Sequence, residues 1–256
     1  SGSYNGPNGI GWCPAGWTSY ERAYAGWLDI EELKAGDIIT GMKDLEDYEG
    51  KAYAIYNDNH RDEFYLLENH KNRRWDAYTP EGGLLVIHVD YDKALFDNNI
   101  VNSKGTFTPA QGYDGIYTND HPRMAPFSKI RSVTNETYYY TYPMEAPRGV
   151  LDSLTNVSKP AATLYNALAD GSTLMGKPIY NIKKDAETGD ISFSFMTKDT
   201  GAETAVREIP YTEDSFSAED NVYDLTGKLV GKRAGSLKPG IYIIGNKGRT
   251  RKIIVR

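Results

Sequence analysis

The chain has 256 residues, a formal net charge of −6 and a sequence pI near 5.3. Lys and Arg are not gathered into one cationic block, so nucleic acid is not expected as a partner. The longest apolar run, residues 84–89, is far shorter than the roughly 20 residues that a membrane-spanning helix needs, so no membrane span is expected.

The length allows one large domain, or a medium domain followed by a small one. The single cysteine, Cys13, excludes an internal disulfide framework and a multi-cysteine zinc site. The sequence starts at Ser1 without an initiator Met or a signal peptide, so we interpret the chain as a fragment of a longer protein. Its 20 tyrosines and 25 glycines favour β-structure with ordered loops over a helical bundle.

A helix is predicted after the glycine-rich loop of residues 1–16. Thr18 and Glu21 have the spacing of a capping box, in which each side chain satisfies a backbone N–H group that the first helical turn leaves unpaired. Helical spacing then predicts one apolar face, formed by Tyr20, Ala23, Tyr24, Trp27 and Leu28.

Strand signals dominate from residue 35 to residue 195. Short apolar and aromatic runs predict strands at residues 52–56, 64–67, 84–89, 137–142 and 191–195. The run 84–89 is continuous, which is typical of a strand buried on both faces. Residues 97–128 are polar and rich in turn signals, and we interpret them as a functional or mobile loop.

The end of the chain has a different composition. Residues 198–220 are polar and predict a linker, and short strand signals separated by glycine turns follow them. This pattern predicts a small β-sandwich or its final hairpins. We therefore expect a domain of residues 1–204, a second of residues 205–256, and a fold class that is mainly β with minor α (α+β).

The sequence carries no complete catalytic or metal-binding signature of its own. No two of the four histidines lie three to five residues apart, so neither a zincin helix pair nor a zinc-finger pair is present. A phosphate-binding loop and a nucleophile elbow are also missing from the sequence. The paired carboxylates of this acidic chain are interpreted as solvated faces rather than as a glycosidase acid and base.

Four residues within or directly after the apolar runs remain as candidates. His88 lies within a buried run, where bonding to a carboxylate or carbonyl is the first expectation and a functional imidazole the second. Glu68 ends an apolar strand, so it is expected either to pair with an arginine, Arg73 or Arg74, or to point into a cleft. Asp90 and Asp92 follow the buried run and are candidate Ca²⁺ ligands.

Five motifs in one order suggest a family. They are residues 2–6, 18–28, 64–69, 75–76 and 83–90, and segments 119–123 and 160–166 extend the match. Together they resemble the part of immune inhibitor A-type zinc metalloproteases that follows the catalytic helix, in the branch found in gut and oral Bacteroidetes. The resemblance covers roughly residues 1 to 196.

The resemblance implies where the chemistry of the parent protein lies. In that family a His-Glu-x-x-His helix supplies two zinc-binding imidazoles and a general base, and a Met-containing turn follows it. Both would precede Ser1, so zinc is expected in the parent protein and this chain alone is expected not to hydrolyse peptides. The expected substrates are proteins or peptides. Glu68 and His88 are the first candidates for an extra ligand, a group that orients a ligand, or a cleft wall.

Residues 222–230, 237–244 and 252–255 resemble the C-terminal sorting domain of type IX secretion. This resemblance implies a small β-sandwich that binds the secretion machinery, and a secreted or cell-surface location. Two alternatives remain open: a noncatalytic extracellular β-module that binds carbohydrate or protein, with tyrosines as stacking platforms, and a purely structural or sorting segment.

Overall fold

The structure, a computed structural model, describes residues 13–79, 82–127, 129–131, 137–139, 141–146, 149–199, 221–231, 240–246 and 249–255. Contacts between Cα atoms divide the chain into two compact units, residues 1–200 and 201–256. The predicted domain boundary near residue 205 and nearly all of the predicted linker lie outside the described residues. The position of the boundary therefore stays a prediction.

The first unit combines many short strands with little helix. Its helices are α1 (Ser19–Tyr24) and α2 (Lys93–Asp97), with 3-10 turns at Arg74–Asp76 and Pro109–Gln111. Its strands are β1 (Ile30–Glu32), β2 (Ile38–Met42), β3 (Ala52–Tyr56), β4 (Glu63–His70), β5 (Gly83–Asp90), β6 (Gly105–Phe107), β7 (Tyr117–Asn119), β8 (Met124–Pro126), β9 (Lys129–Arg131), β10 (Thr137–Tyr139), β11 (Met144–Ala146), β12 (Gly149–Leu151), β13 (Ile179–Lys184) and β14 (Ile191–Phe195).

A five-stranded sheet in the order β1-β3-β4-β5-β8 forms the centre of this unit. β1 runs parallel to β3, and the other pairs are antiparallel. Side chains alternate between the two faces of a sheet, and here each face carries its own apolar cluster. The prediction that the run 84–89 is a strand buried on both faces is therefore confirmed.

The larger apolar cluster lies on one face of the central sheet and is shared with a second, antiparallel sheet in the order β13-β14-β2. Tyr65 and Val86 of the central sheet belong to this cluster together with Ile179 and Phe193 of the second sheet. On the other face, Leu66 and Ile87 pack in a smaller cluster with Tyr20 of α1 and Phe96 of α2. The two faces thus meet different neighbours, a sheet on one side and short helices on the other.

The first helix begins as predicted but ends early. Thr18 and Glu21 form the expected capping box. The helix ends after Tyr24, and Gly26 takes a positive φ of +74°, which glycine adopts at no steric cost. The predicted apolar face is wrong in its second half, because Tyr24 is 88% and Trp27 69% exposed.

The fold class is mainly β with minor α, as predicted. The segment 97–128, interpreted from sequence as a loop, contains the β6–β7 hairpin and the edge strand β8. Most of the other predicted strands are present, and β4 extends beyond its predicted bounds at both ends.

The second unit contains one antiparallel sheet in the order β16-β15-β17-β18. Its strands are β15 (Asn221–Tyr223), β16 (Leu229–Gly231), β17 (Gly240–Asn246) and β18 (Arg249–Val255). In the described part of this unit we see that single sheet, and not the second layer of the expected sandwich. Across the described part of the whole chain, no helix has the length and apolar character that a membrane crossing requires.

Candidate functional site: two histidine–carboxylate clusters

A buried histidine on β4 lies between two carboxylates. His70 Nε2 is 2.6 Å from Glu68 Oε1, and His70 Nδ1 is 2.7 Å from Asp76 Oδ2. Glu68 and His70 share a face because they are two residues apart in a strand, and the 3-10 turn after β4 supplies Asp76. We call these three side chains the His70 clamp.

The clamp holds the segment that leads into α1. The second oxygen of Glu68 accepts a hydrogen bond from Ser19 N–H at 2.6 Å, and the second oxygen of Asp76 accepts one from Gly16 N–H at 3.0 Å. Gly16 fits tightly here, because a Cβ at this position would lie 3.3 Å from Glu46 Oε1 and 3.5 Å from Asp76 Oδ2. Each carboxylate therefore binds the imidazole with one oxygen and the backbone with the other.

The charges of the clamp are tightly coupled. Burial alone would lower the pKa of His70, but its hydrogen bonds to Asp76 and Glu68 outweigh burial and raise the pKa to about 10. Burial would likewise raise the pKa of Asp76, and the hydrogen bond and charge of His70 lower it instead. His70 is therefore an imidazolium at neutral pH, with an N–H donor for each carboxylate.

A second cluster lies on the opposite face of the same sheet, where Glu63 and Asp90 are cross-strand neighbours. Both are buried, and like charges placed directly opposite each other are destabilising. Glu63 accepts hydrogen bonds at 2.6 to 3.0 Å from the backbone N–H groups of Tyr165 and Asn166 and from the side chains of Asn57 and His88.

These donors decide the ionisation of Glu63. Burial alone would raise its pKa, but the hydrogen bonds from His88 and from the two backbone N–H groups outweigh burial and lower the pKa to about 2. Glu63 is therefore ionised at neutral pH, and its contacts fix the chain at residues 165 and 166.

Asp90 belongs to a closed ring of four side chains joined by hydrogen bonds. His121 Nε2 is 2.8 Å from Asp90 Oδ2, and His121 Nδ1 is 2.6 Å from Asp120 Oδ1. Arg123 completes the ring, with Nη1 2.5 Å from Asp90 Oδ2 and Nη2 3.2 Å from Asp120 Oδ1. We call Asp90, Asp120, His121 and Arg123 the His121 ring.

Tyr165 joins the two parts of the second cluster. Its ring stacks on His121, with centroids 3.7 Å apart, and on His88, with centroids 4.7 Å apart. The planes are inclined by 21° and 10°, so both contacts are nearly parallel stacks. The next residue, Asn166, donates from Nδ2 to Asp90 at 3.0 Å.

The structure does not bring the two predicted cleft residues together. Glu68 belongs to the His70 clamp and His88 pairs with Glu63, and their side chains project from opposite faces of the sheet. The expectation that His88 bonds to a carboxylate is confirmed. The expected ion pair of Glu68 with an arginine is wrong, because Arg73 binds Asp44 and Asp47 instead, and Arg74 donates to a backbone carbonyl.

The two candidate calcium ligands also have separate partners. Asp90 belongs to the His121 ring, and Asp92 caps α2 by accepting from the N–H groups of residues 94 and 95. Calcium binding there stays a prediction, although each of the two carboxylates already has hydrogen-bond partners within the protein. Within the described ranges, no group of three or more His, Cys, Asp or Glu is arranged to hold a metal ion.

The zinc implied by the resemblance has no ligand group of three or more side chains among the described residues, and most of the histidine nitrogens already have carboxylate partners. Both ring nitrogens of His70 and of His121 face carboxylate oxygens, and His88 uses Nε2 on Glu63. A zinc-bound imidazole needs a free ring nitrogen for the metal. Zinc chemistry is therefore not assigned to these residues.

Open grooves lie elsewhere on the first unit. One, of about 510 Å³, is lined by residues 40–43 and 48–51 and by Tyr53. Another, of about 390 Å³, is lined by residues that include Lys43, Lys71 and Asp190. Neither Glu68 nor His88 lines these two grooves.

Sequence reasoning missed most members of both clusters. The two-residue spacing of Glu68 and His70 in a strand was a usable signal, since it places both side chains on one face. The contacts of Asp76 with His70 and of His121 with Asp90 had no comparable signal, because they join segments that only the tertiary fold brings together.

In comparisons with known proteins, no family model, curated protein or solved structure matches the chain.

Proposed function

We propose that the chain is the β-rich C-terminal portion of a secreted zinc metalloendopeptidase and that the zinc ligands of that enzyme lie outside this sequence. The observation that carries the proposal is the meeting of three motifs at the His70 clamp. Segment 18–28 contributes Ser19, segment 64–69 contributes Glu68, and segment 75–76 contributes Asp76. The three motifs that resemble the metalloprotease family thus share one buried hydrogen-bond network. This supports the view that they belong together in a single fold of that family.

The chemistry of the clamp is consistent with a supporting role. Both ring nitrogens of His70 are occupied, so the imidazole is neither a metal ligand nor a general base. The clamp instead fixes the segment before α1 against the central sheet. Next to it Trp17, Tyr24 and Trp27 are exposed, which leaves an aromatic surface for contact with the zinc-binding part of the enzyme.

The proposal assigns the second unit to secretion. Short antiparallel strands with a glycine turn at Gly227, which has a positive φ, support a small exported β-domain. Deleting residues 205–256 from the natural protein should leave it inside the cell. Unchanged export of the deleted form would end this part of the proposal.

The enzyme assignment is tested with two forms of the protein. The coding sequence before Ser1 is determined first, and a His-Glu-x-x-His motif is expected there. The longer chain and the 256-residue chain are then compared on casein, with zinc and with a chelator. We expect chelator-sensitive cleavage by the longer chain alone, and none after its motif Glu is changed to Gln.

Two results would overturn the assignment. The first is an upstream sequence without the zinc-binding motif. The second is chelator-sensitive cleavage by the 256-residue chain itself, because its described residues contain no group of three or more side chains that could hold a metal ion.

A second candidate function is a noncatalytic extracellular module that binds carbohydrate or protein. The observation that favours it is the exposed stack of Trp17 on Trp27, with ring centroids 4.9 Å apart and planes inclined by 14°. Under this alternative, Trp27→Ala should abolish retention of the chain on an immobilised polysaccharide, and Tyr48→Ala, at a fully exposed tyrosine, should not. Absence of retention on a polysaccharide panel counts against the carbohydrate form of this alternative.

A further inference from the structure

The outermost strands of the two larger sheets are β1, β8, β13 and β2, and the first three have a feature that opposes pairing with a further strand. β8 ends in Pro126, which has no N–H to donate. β1 carries Glu31 and Glu32, and charged side chains on an edge discourage pairing with another chain. The outer side of β13 is already bonded to the backbone of residues 152 and 154. β2 is the remaining edge.

The backbone of β2 has unpaired groups at Thr40. β14 lies on one side of β2, and within the described part of the chain no strand pairs with the other side. In an antiparallel pair only alternate residues bond to the partner strand. Asp37 accepts a hydrogen bond from Phe195 N–H, so Ile39 is in phase with Asp37 and Thr40 is not. The N–H and C=O groups of Thr40 therefore point away from β14.

Thr40 lines the groove of about 510 Å³, which we call the β2 groove. Ligand-binding clefts typically have volumes of about 300–1,000 Å³. Met42 and Tyr53, both largely buried, contribute apolar surface to the lining. Gly41 has a φ of +62°, and no heavy atom lies within 4 Å of the place where its Cβ would be, so a second backbone can approach closely there. The groove thus combines unpaired backbone groups, apolar side chains and space for another chain segment.

The charges that line the β2 groove differ in sign from those of the whole chain. Lys43, Lys51 and Glu49 give the lining a net charge of +1, whereas the whole chain carries −6. Lys43 is bonded to Asp190. Lys51 pairs only with Glu31, and both side chains are more than half exposed. Because an exposed ion pair contributes little, the ammonium group of Lys51 can exchange its partner for the carboxylate of a ligand.

We propose that the β2 groove binds an extended acidic peptide, which adds to the β13-β14-β2 sheet as a further strand. The peptide backbone pairs with Thr40, alternate apolar side chains lie against Met42 and Tyr53, and a carboxylate pairs with Lys51. The turn at Gly41 ends the pairing, so the bound segment is short. The inference does not depend on the proposed function, because all the lining residues belong to this chain.

The test uses the full 256-residue chain and two arrays of short acetylated peptides in which apolar and polar residues alternate. One array carries Glu at the central position, and the other carries Lys. We expect retention on the Glu array. In solution, the peptide retained most strongly should shift the amide NMR signals of residues 38–41 and slow the hydrogen exchange of Thr40 N–H. An N-methylated copy, which cannot donate from its backbone, should bind about two- to tenfold more weakly for each hydrogen bond lost.

Variants of the chain separate the backbone contact from the charge contact. Thr40→Pro removes the outward N–H and should weaken binding by about two- to tenfold, whereas Thr40→Ala keeps that group and should bind like the natural chain. Lys51→Glu should weaken binding of the Glu peptide by about fivefold and favour the Lys array. The matched control is Lys93→Glu, at another exposed lysine that is paired with a carboxylate, and it should leave binding unchanged.

Four results would overturn the inference: no retention on either array, equal retention on both, equal binding of the N-methylated peptide, or an unchanged preference in Lys51→Glu. Amide signals of residues 38–41 that shift with the concentration of the chain alone would assign the edge to a second copy, which also overturns it. If Thr40→Pro does not fold, as judged by circular dichroism, the N-methylated peptide on the natural chain decides the backbone contact.

Discussion

The two faces of the central sheet each carry a histidine cluster, and the two clusters use the same arrangement in different surroundings. His70 and His121 each lie between two carboxylates. All three members of the His70 clamp are buried, whereas Asp120 of the His121 ring is 77% exposed in its side chain. Burial next to two carboxylates makes the charge of His70 a fixed part of the fold, whereas one of the two carboxylates that hold His121 faces the solvent.

The two clusters also hold different things in place. The His70 clamp binds backbone N–H groups at the start of α1, through Glu68 and Asp76. The His121 ring links four side chains at the edge of the sheet, and its His121 imidazole stacks on Tyr165. The His70 clamp thus fixes the backbone segment before α1, and the His121 ring contacts the side chain of Tyr165.

The largest effect is expected from His70→Gln. Glu68 and Asp76 would remain buried without their cation, which costs about 3–5 kcal/mol when one partner of a buried ion pair is removed. The free energy of unfolding, measured by urea denaturation at pH 6, should fall by that amount.

The matched control for that measurement is His60→Gln, whose side chain is 45% exposed. It should change the free energy of unfolding by about 0.5 kcal/mol or less. Equal effects of the two substitutions would contradict the distinction between a buried and an exposed histidine.

A somewhat smaller loss is expected from Glu63→Gln. The amide NH₂ would face groups that are themselves donors, among them the backbone N–H groups of Tyr165 and Asn166, and unfolding should become easier by about 3 kcal/mol. The exposed Glu32, paired with Arg61, offers a control, because Glu32→Gln should cost less than about 1 kcal/mol.

The loss at Glu63 should also depend on pH. Its folded pKa of about 2 lies below its ordinary value of 4.5, so its contribution is complete above pH 4.5 and disappears as the pH falls towards 2. The difference in stability between the natural chain and Glu63→Gln should therefore shrink across that interval. A constant difference would contradict the ionised state assigned to Glu63.

The free energy of unfolding above neutral pH tests the charge assigned to His70 in the clamp. The pKa of His70 is raised from 6.5 to about 10 in the folded state, so its contribution is complete below pH 6.5 and is lost as the pH rises through 10. The stability difference between the natural chain and His70→Gln should decrease by at most about 1.4 kcal/mol per pH unit in this interval. Denaturation curves at pH 6, 8 and 10 measure it, and an increase with pH would show that the sign is wrong.

The smallest effect is expected from Trp27→Ala. Trp27 stacks on Trp17 at the surface, and such an aromatic pair contributes about 0.5–1.5 kcal/mol. Thermal unfolding should shift by a few degrees at most, with the hydrogen exchange of Ser19 N–H unchanged. Loss of protection at Ser19 would mean that the stack, and not the clamp, positions the segment.

Local patterns predicted the parts of the fold that depend on local properties. The strand at residues 52–56 has the predicted bounds, and the strand at 191–195 was visible from strict alternation. The length of α1 was overestimated because the spacing of Tyr24 and Trp27 continues the helical period beyond the actual turn at Gly26. The periodic spacing alone did not show whether these aromatic side chains form the buried face of a helix or are exposed after the helix has ended.

The candidate site was less predictable than the fold. Glu68 was singled out because it ends an apolar strand and His88 because it lies within a buried run, but their partners depend on the register of β4 against β5. That register places the two residues on opposite faces. The contact of His121 with Asp90 spans 31 residues, and nothing in the local sequence around either residue indicates it.

The pairing of β2 with β14 has a consequence for the order in which the molecule forms. β3, β4 and β5 are consecutive in sequence and antiparallel, so they can associate as soon as they are synthesised. The second sheet has to wait, because its edge strand near residue 40 pairs with residues 191–194. Until β14 emerges, one apolar face of the central sheet has no covering layer, and contacts of long sequence separation form slowly. A growing chain of this protein therefore carries an open apolar surface from the time β5 is made until β14 has been synthesised.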